Sequence, residues 1–324
     1  MRTALFASLL GVLAAGSLQT ATKADDKFPT RPVKIVVPFA AGGTTDAVSR
    51  KLGDLLAKKW GQPVVVETRP GAGTVLGVMA AVGAPADGHT LLVVADASVS
   101  INPLLYADLP YNPAKDLTPV VKLNSFPMVI AVNEKLPIKD LKSLSEYRQR
   151  SLNYGSFGPG TNPQLVMESF KSLSGLDAVH IPYKGVGPLM LALAGGEIDV
   201  SALSSGAAFQ AQQTGKIRLL AIEGDKRMPQ LPDVPTFAEA GFPQLRAPSW
   251  WAIVVRNGTP DAIVKKLNAD LNEAIADPSF QEFMMRSAFI PGGGSQAELA
   301  ALITDTAKLW APIIEKLQLR RNIN

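Results

Sequence analysis

The chain has 324 residues, enough for two domains, and its 47% hydrophobic and 19% charged residues exclude a disordered or low-complexity protein. It has no cysteine and two histidines, which excludes disulfide frameworks, thiolate metal sites, iron–sulfur ligation, a cysteine nucleophile and a multi-histidine metal centre. The formal net charge of +4 comes without any run of lysine and arginine, so nothing points to nucleic acid or an acidic membrane surface.

Residues 1–24 read as a secretory signal peptide. Arg2 gives a positive start, Ala4 to Ala15 is an uncharged, largely apolar run, and small residues lead to cleavage after Ala21 or Ala24. The run is too short for a bilayer core, which takes about 20 helical residues. The mature chain is therefore expected to be exported and soluble.

Strand and helix patterns then alternate. Val33–Pro38 is a β-branched run of strand length, closed by Pro38 and a turn of small residues. Val48, Leu52, Leu55, Leu56 and Lys59 follow at helical spacing, with Thr44, Thr45 and Asp46 as good first-turn residues. Pro63–Glu67 predicts a second strand, Gly73–Val82 a small-residue helix and Thr90–Ala95 a third strand. That alternation implies parallel pairing with right-handed crossovers. A second series opens near residue 129, with strands at Val129–Val132 and Leu152–Tyr154 and a helix from Pro163 to about Ser174, with Asn162 as its N-cap. Ala178–Tyr183, Ile198–Leu203 and Ile217–Ile222 continue the strands, residues 229–248 form a proline-rich connection, and Trp251–Val255 returns to strand. Three helices close the chain, opened by Thr259-Pro260, by Asp277-Pro278 and by a Ser295/Glu298 capping box.

Catalytic patterns fail on inspection. Gly83 and Gly88 have P-loop spacing, but His89 stands where the motif needs lysine. Gly71, Gly73 and Gly77 miss the dinucleotide fingerprint by one residue, and no Gly-x-Ser-x-Gly or His-Glu-x-x-His occurs. His180 in its apolar run and His89 in its turn read as structural. One feature occurs twice. Ala40–Asp46 and Gly155–Asn162 are strand-to-helix turns of glycine and hydroxyl residues, where helix-start N–H groups and the helix dipole favour an anion. The pair reads either as two plain helix caps or as two loops facing across a cleft around a carboxylate.

Long ordered words carry a resemblance over Phe28 to about Leu317. They are FPTRPVKIVVPFAAGGTTDAVSR at Phe28–Arg50, VVVETRPGAG at Val64–Gly73, ADGHTLL at Ala86–Leu92, LPYNPAKDLTPV at Leu109–Val120, HIPYKG at His180–Gly185, LPDVPTFAEAG at Leu231–Gly241 and Ser249-Trp250. The chain resembles the Bug-type, tripartite tricarboxylate transporter family of periplasmic substrate-binding receptors. The resemblance implies an α/β, two-lobed periplasmic-binding-protein fold (type 2-like) with two chain crossovers and a ligand cleft between hinged lobes. It implies a monomer without catalysis or cofactor, located in the periplasm, that hands a small organic carboxylate to membrane transporter subunits. A receptor feeding a sensor kinase and an exported α/β enzyme are the alternatives.

Carried onto this sequence, the family's first loop gives Phe39, Ala41, Gly42, Gly43, Thr44 and Asp46, and its second gives Ser156, Gly158, Gly160 and Thr161. Asp96 and Ser98 after the third strand and Leu203, Ser204 and Ser205 are expected to reach the cleft as well. Many relatives carry Phe-Asp-Asn where this chain has Ala202-Leu203-Ser204, which argues against a ligand ammonium group and for an aliphatic dicarboxylate or an aromatic acid. The expected layout is one lobe from 28–128 plus 250–324 and another from 129–249, crossing at Phe126–Met128 and Arg246–Trp250. On this layout the C-terminal helices complete the first lobe.

Overall fold

The computed structural model describes residues 28–323. The signal-peptide reading lies outside them. The strands are β1 (Val33–Val37), β2 (Val64–Thr68), β3 (Thr90–Ala95), β4 (Leu117–Ser125), β5 (Met128–Asn133), β6 (Leu152–Ser156), β7 (Ala178–Pro182), β8 (Val200–Ser204), β9 (Ile217–Ile222), β10 (Trp250–Arg256) and β11 (Ile290–Gly293). The α-helices are α1 (Thr44–Trp60), α2 (Val75–Val82), α3 (Asn102–Leu105), α4 (Pro113–Asp116), α5 (Leu141–Ser145), α6 (Asn162–Ser174), α7 (Val186–Gly195), α8 (Ser205–Gln212), α9 (Asp261–Ala276), α10 (Pro278–Arg286) and α11 (Gln296–Lys316).

These strands form two sheets, ordered β11-β4-β10-β3-β1-β2 and β7-β6-β8-β5-β9. In each, three parallel strands are followed by an antiparallel one: β10 beside β3 in the first sheet, β5 beside β8 in the second. The antiparallel strand is the one that has just crossed from the other sheet. That is the topology of a two-lobed receptor with two crossovers.

Helices cover both faces of each sheet, so the central strands read as apolar runs rather than alternating ones. Val48, Leu52 and Leu56 on α1 pack with β1, β3, α9 and α10 on one face of the first sheet. Val75 and Val78 of α2 and Leu299 of α11 cover the other. The second sheet is covered by α5 and α6 on one face and by α7 and α8 on the other.

The crossings lie side by side. Chain passes from β4 to β5 through Phe126-Pro127 and returns from β9 to β10 through residues 223–249. The Phe126 N–H donates to the Ser249 carbonyl at 2.9 Å, extending the β4–β10 pairing into the hinge. The last helix divides its packing between lobes. Leu299 near its start lies in the first lobe's core, whereas Trp310 and Ile314 are buried in the second lobe's core beside Phe170.

Candidate functional site

Between the sheets lies a cavity of about 500 Å³, lined from both lobes. Its apolar walls are Phe39, Leu105, Phe126, Met128, Phe157 and Trp251. Trp251 stacks among aromatic neighbours, its ring centroid 5.1 Å from Phe126 and 6.5 Å from Phe39. Hydroxyl and amide groups of Thr74, Asn102, Tyr106, Thr161, Asn162 and Ser204 interrupt these walls. Asp96 is the one acid and Arg321 the one cation among the described lining residues.

The second-lobe loop is shaped by its own side chains. Gly158 donates its N–H to Ser156 Oγ at 2.9 Å, and Gly160 donates to Gln164 Oε1 at 2.6 Å. The Thr161 hydroxyl donates to the Gly158 carbonyl at 2.7 Å. His180 sits behind this loop, its Nε2 2.6 Å from Ser156 Oγ and its Nδ1 3.4 Å from the Gln164 amide nitrogen. Because Gln164 Nε2 can only donate, the network assigns the proton of neutral His180 to Nε2, pointing at Ser156. The Ser156 hydroxyl is 3.1 Å from the Gly158 carbonyl and donates to it. His180 thus supports the loop and does not act as a base toward Ser156. Burial lowers its pKa, which keeps the ring neutral.

Asp96 follows β3 and is buried. Its carboxylate accepts the Ala97 N–H and the Asn162 side-chain amide, each at 2.8 Å. Asn162 also donates to Ser249 Oγ at 2.6 Å, so one amide touches the first lobe, the second lobe and a crossing. Burial pushes the Asp96 pKa up to about 7, against the smaller lowering effect of the Asn162 and Ala97 hydrogen bonds.

Six sequence-predicted residues line the cavity: Phe39, Asp96, Gly158, Gly160, Thr161 and Ser204. The others lie elsewhere. Ala41, Gly42, Gly43 and Thr44 are exposed outside it. Asp46 is buried, accepts the Gly42 N–H at 2.9 Å and pairs with Arg50 at 3.0 Å, so it shapes its own loop. Those bonds hold its pKa below the usual carboxylate range. Ser98 is buried beneath the cavity and bonds Thr74 Oγ1 at 2.8 Å. Ser156 braces the loop from behind. Leu203 points into the apolar core under α7 and α8. It faces away because β8 alternates, with Ala202 on the opposite face and Ser204 at the strand's cavity end. The inference from Leu203 to a ligand without an ammonium group therefore loses its contact. Ser205 donates to the Ala288 carbonyl at 2.5 Å and ties α8 to the first lobe's C-terminal segment.

Sequence reasoning missed Thr74, Asn102, Leu105, Tyr106, Phe157 and Arg321. Thr74 belongs to a third glycine-bearing turn and holds a left-handed φ of 84°, rare for a β-branched residue and a mark of local strain. Gly71 and Gly73 were visible signals of that turn. Tyr106 and Arg321 are far apart in sequence and carry no local pattern.

The comparisons agree with this architecture. The family model described as tripartite tricarboxylate transporter family receptor matches residues 48–319. A UPF0065 protein of Bordetella pertussis is 34% identical over 298 residues, 91% of this chain and 92% of that protein. Among solved structures, R. palustris Rpa4515 with adipate is 32% identical with a TM-score of 0.79, covering 89% of this chain and 97% of that one. MatC (Rpa3494) from Rhodopseudomonas palustris with bound malate is also 32% identical, with a TM-score of 0.76, covering 89% of this chain and 100% of that one.

Proposed function

This chain belongs to the tripartite tricarboxylate transporter receptor family, and on that premise we propose that it is a periplasmic receptor for a small organic carboxylate. It is a solute receptor and not an enzyme. The observation that carries the ligand class is the cavity between the lobes. Its aromatic and aliphatic walls suit a short carbon body, and its hydroxyl and amide groups suit carboxylate oxygens, directly or through water. Relatives with about a third of their residues identical were solved with adipate and with malate, which supports the same class here.

We infer lobes of 28–128 plus 250–324 and 129–249, hinged at the paired crossings and spanned by α11. The bound ligand passes to the membrane subunits of a tripartite tricarboxylate-type transporter. The direct test is mass spectrometry of ligand carried through purification, followed by calorimetric titration of a panel of organic acids, amino acids and neutral sugars. Saturable one-site binding among the acids is expected. A neutral sugar as the tightest ligand overturns the reading.

A further inference from the structure

We propose that Arg321 is a specificity-determining residue that pairs with the second carboxylate of a dicarboxylate, and that the C-terminal tail exists to carry it to the cavity. The inference rests on the carboxylate-receptor reading and extends it.

Residues 317–323, beyond α11, are fixed in place rather than trailing. Arg321 donates its backbone N–H to the Leu105 carbonyl at 2.9 Å and accepts the Ala107 N–H at 2.9 Å. Ile323 donates its N–H to Asp108 Oδ1 at 2.9 Å. A short parallel bridge results, opposite Tyr106. Terminal residues stay ordered where such bonds tie them down, and these three place the tail against the residues following α3 on the cavity rim.

The guanidinium itself has few claims on it. It lies over the Tyr106 ring, 5.5 Å from the centroid, which holds its plane. One nitrogen, Nη2, reaches the Tyr106 hydroxyl and the Pro159 carbonyl, both at 3.4 Å, the long limit of a hydrogen bond. No ion pair among the described residues includes Arg321, while arginines such as Arg150 have close carboxylates. Five donors in a fixed fork, oriented by an aromatic ring and without an acid, suit a bidentate carboxylate supplied from outside. Tyr106 belongs to the first lobe and Pro159 to the second lobe's loop, so a carboxylate held there meets both lobes.

Charge placement argues the same way. The other ionisable group of opposite sign in the cavity, Asp96, is engaged by Asn162 and Ala97 and is not paired with Arg321. A ligand with one carboxylate among the hydroxyl and amide groups leaves the Arg321 fork unfilled. A ligand with two fills it.

The test uses the full mature chain and matched acids that differ by one carboxylate: succinate with butyrate, malate with 3-hydroxybutyrate, adipate with hexanoate. Calorimetric titration of wild type and Arg321→Ala compares each pair. Wild type is expected to prefer a dicarboxylate to its partner. Arg321→Ala is expected to weaken that dicarboxylate by roughly 10- to 100-fold while shifting its monocarboxylate partner by less than about threefold. Arg321→Lys, a point charge without the fork, should fall between. Ending the chain after Leu319, which removes the tail and leaves α11 whole, should reproduce the alanine result. Equal losses for both acids of a pair, or no loss, overturn the role of Arg321 and leave the carboxylate receptor standing. A wild-type protein that binds no carboxylate overturns both.

Discussion

Asn162 donates its side-chain amide to Asp96 at 2.8 Å, joining the first residue of α6 in the second lobe to the residue that follows β3 in the first. The same amide reaches Ser249 at the crossing, so the pair reports on lobe closure as well as on the cavity floor.

The Asp96 pKa sets a pH prediction. The folded protein holds a proton on Asp96 up to about 7, whereas the unfolded chain releases it near the ordinary 3.8. Between those values the native state binds more protons, so this group's effect makes stability fall as pH rises and level off above the window. An anionic ligand beside Asp96 favours the protonated form, so affinity should also fall as pH rises through about 7. Burial lowers the His180 pKa, so its linkage to stability runs the other way: the unfolded ring takes up a proton near its ordinary 6.5 while the native ring does not. The Asp96 slope is therefore read as the difference between wild type and a variant lacking that carboxyl. Asp96→Asn keeps the shape and removes the charge. Titrations and melts from about pH 6 to about pH 8 should fall more steeply with pH for wild type than for the variant; parallel slopes would sink the assignment.

Gly42 and Gly160 look equivalent in the sequence, and the structure separates them. Both hold φ near 78°, but a Cβ on Gly42 meets nothing within 4 Å, whereas one on Gly160 comes within 2.5 Å of Leu105. Gly42→Ala should therefore cost about 1–2 kcal/mol of stability through its backbone and leave ligand affinity within about twofold. Gly160→Ala carries the same backbone cost and also forces the second-lobe loop away from Leu105, which lines the cavity. Affinity should drop about tenfold or more, and Leu105→Ala in the same chain should restore part of it. Equal affinity losses for the two glycine variants would refute the distinction.

The sequence resolved what local pattern can encode. The runs at Val33–Pro38, Thr90–Ala95 and Ile217–Ile222 became β1, β3 and β9, and the Ser295/Glu298 capping box opens α11 in the structure. Strand β4 was not legible because Pro119, Lys122 and Asn124 interrupt its apolar run. Pairing with β10 carries it through two register shifts instead. Strand β11 reads Ile-Pro-Gly-Gly, a turn by composition, and pairs because β4 offers it an edge. In the site, the glycine turns announced Gly158, Gly160 and Thr161. Nothing local announced that Asp46, Gln164 and Ser156 would take up loop N–H groups, or that the tail would return Arg321 to the cavity.

Trp310 tests how firmly α11 joins the lobes. It is fully buried in the second lobe's core, and its Nε1 has no hydrogen-bond partner among the described residues. Trp310→Ala should cost about 3–5 kcal/mol in denaturant unfolding. Trp310→Phe deletes the unpaired N–H along with part of the ring and should cost less than about 2 kcal/mol. If the alanine variant unfolds in two steps while wild type shows one, the α11 junction is what couples the lobes; an unchanged single transition at unchanged stability would contradict its burial.

Trp250 and Trp251 are adjacent at the return crossing, and alternation along β10 sends them to opposite environments. Trp250 donates Nε1 to Thr306 of α11 at 3.2 Å inside the first lobe, away from the cavity's lining. Trp251 lines the cavity, packed edge-on against Phe289 with centroids 5.4 Å apart and beside Phe126 at the crossing. A ligand entering the cavity changes the polarity and water content around Trp251 and leaves the buried Trp250 ring, which does not line that cavity, as it was. Intrinsic fluorescence should therefore shift on saturation with a bound acid, following a one-site curve. Trp250→Phe should keep that shift, because the reporting ring is untouched. Trp251→Phe should remove most of it while calorimetry still detects binding. A signal that survives in Trp251→Phe and vanishes in Trp250→Phe would place the ligand on the other face of β10, against α11.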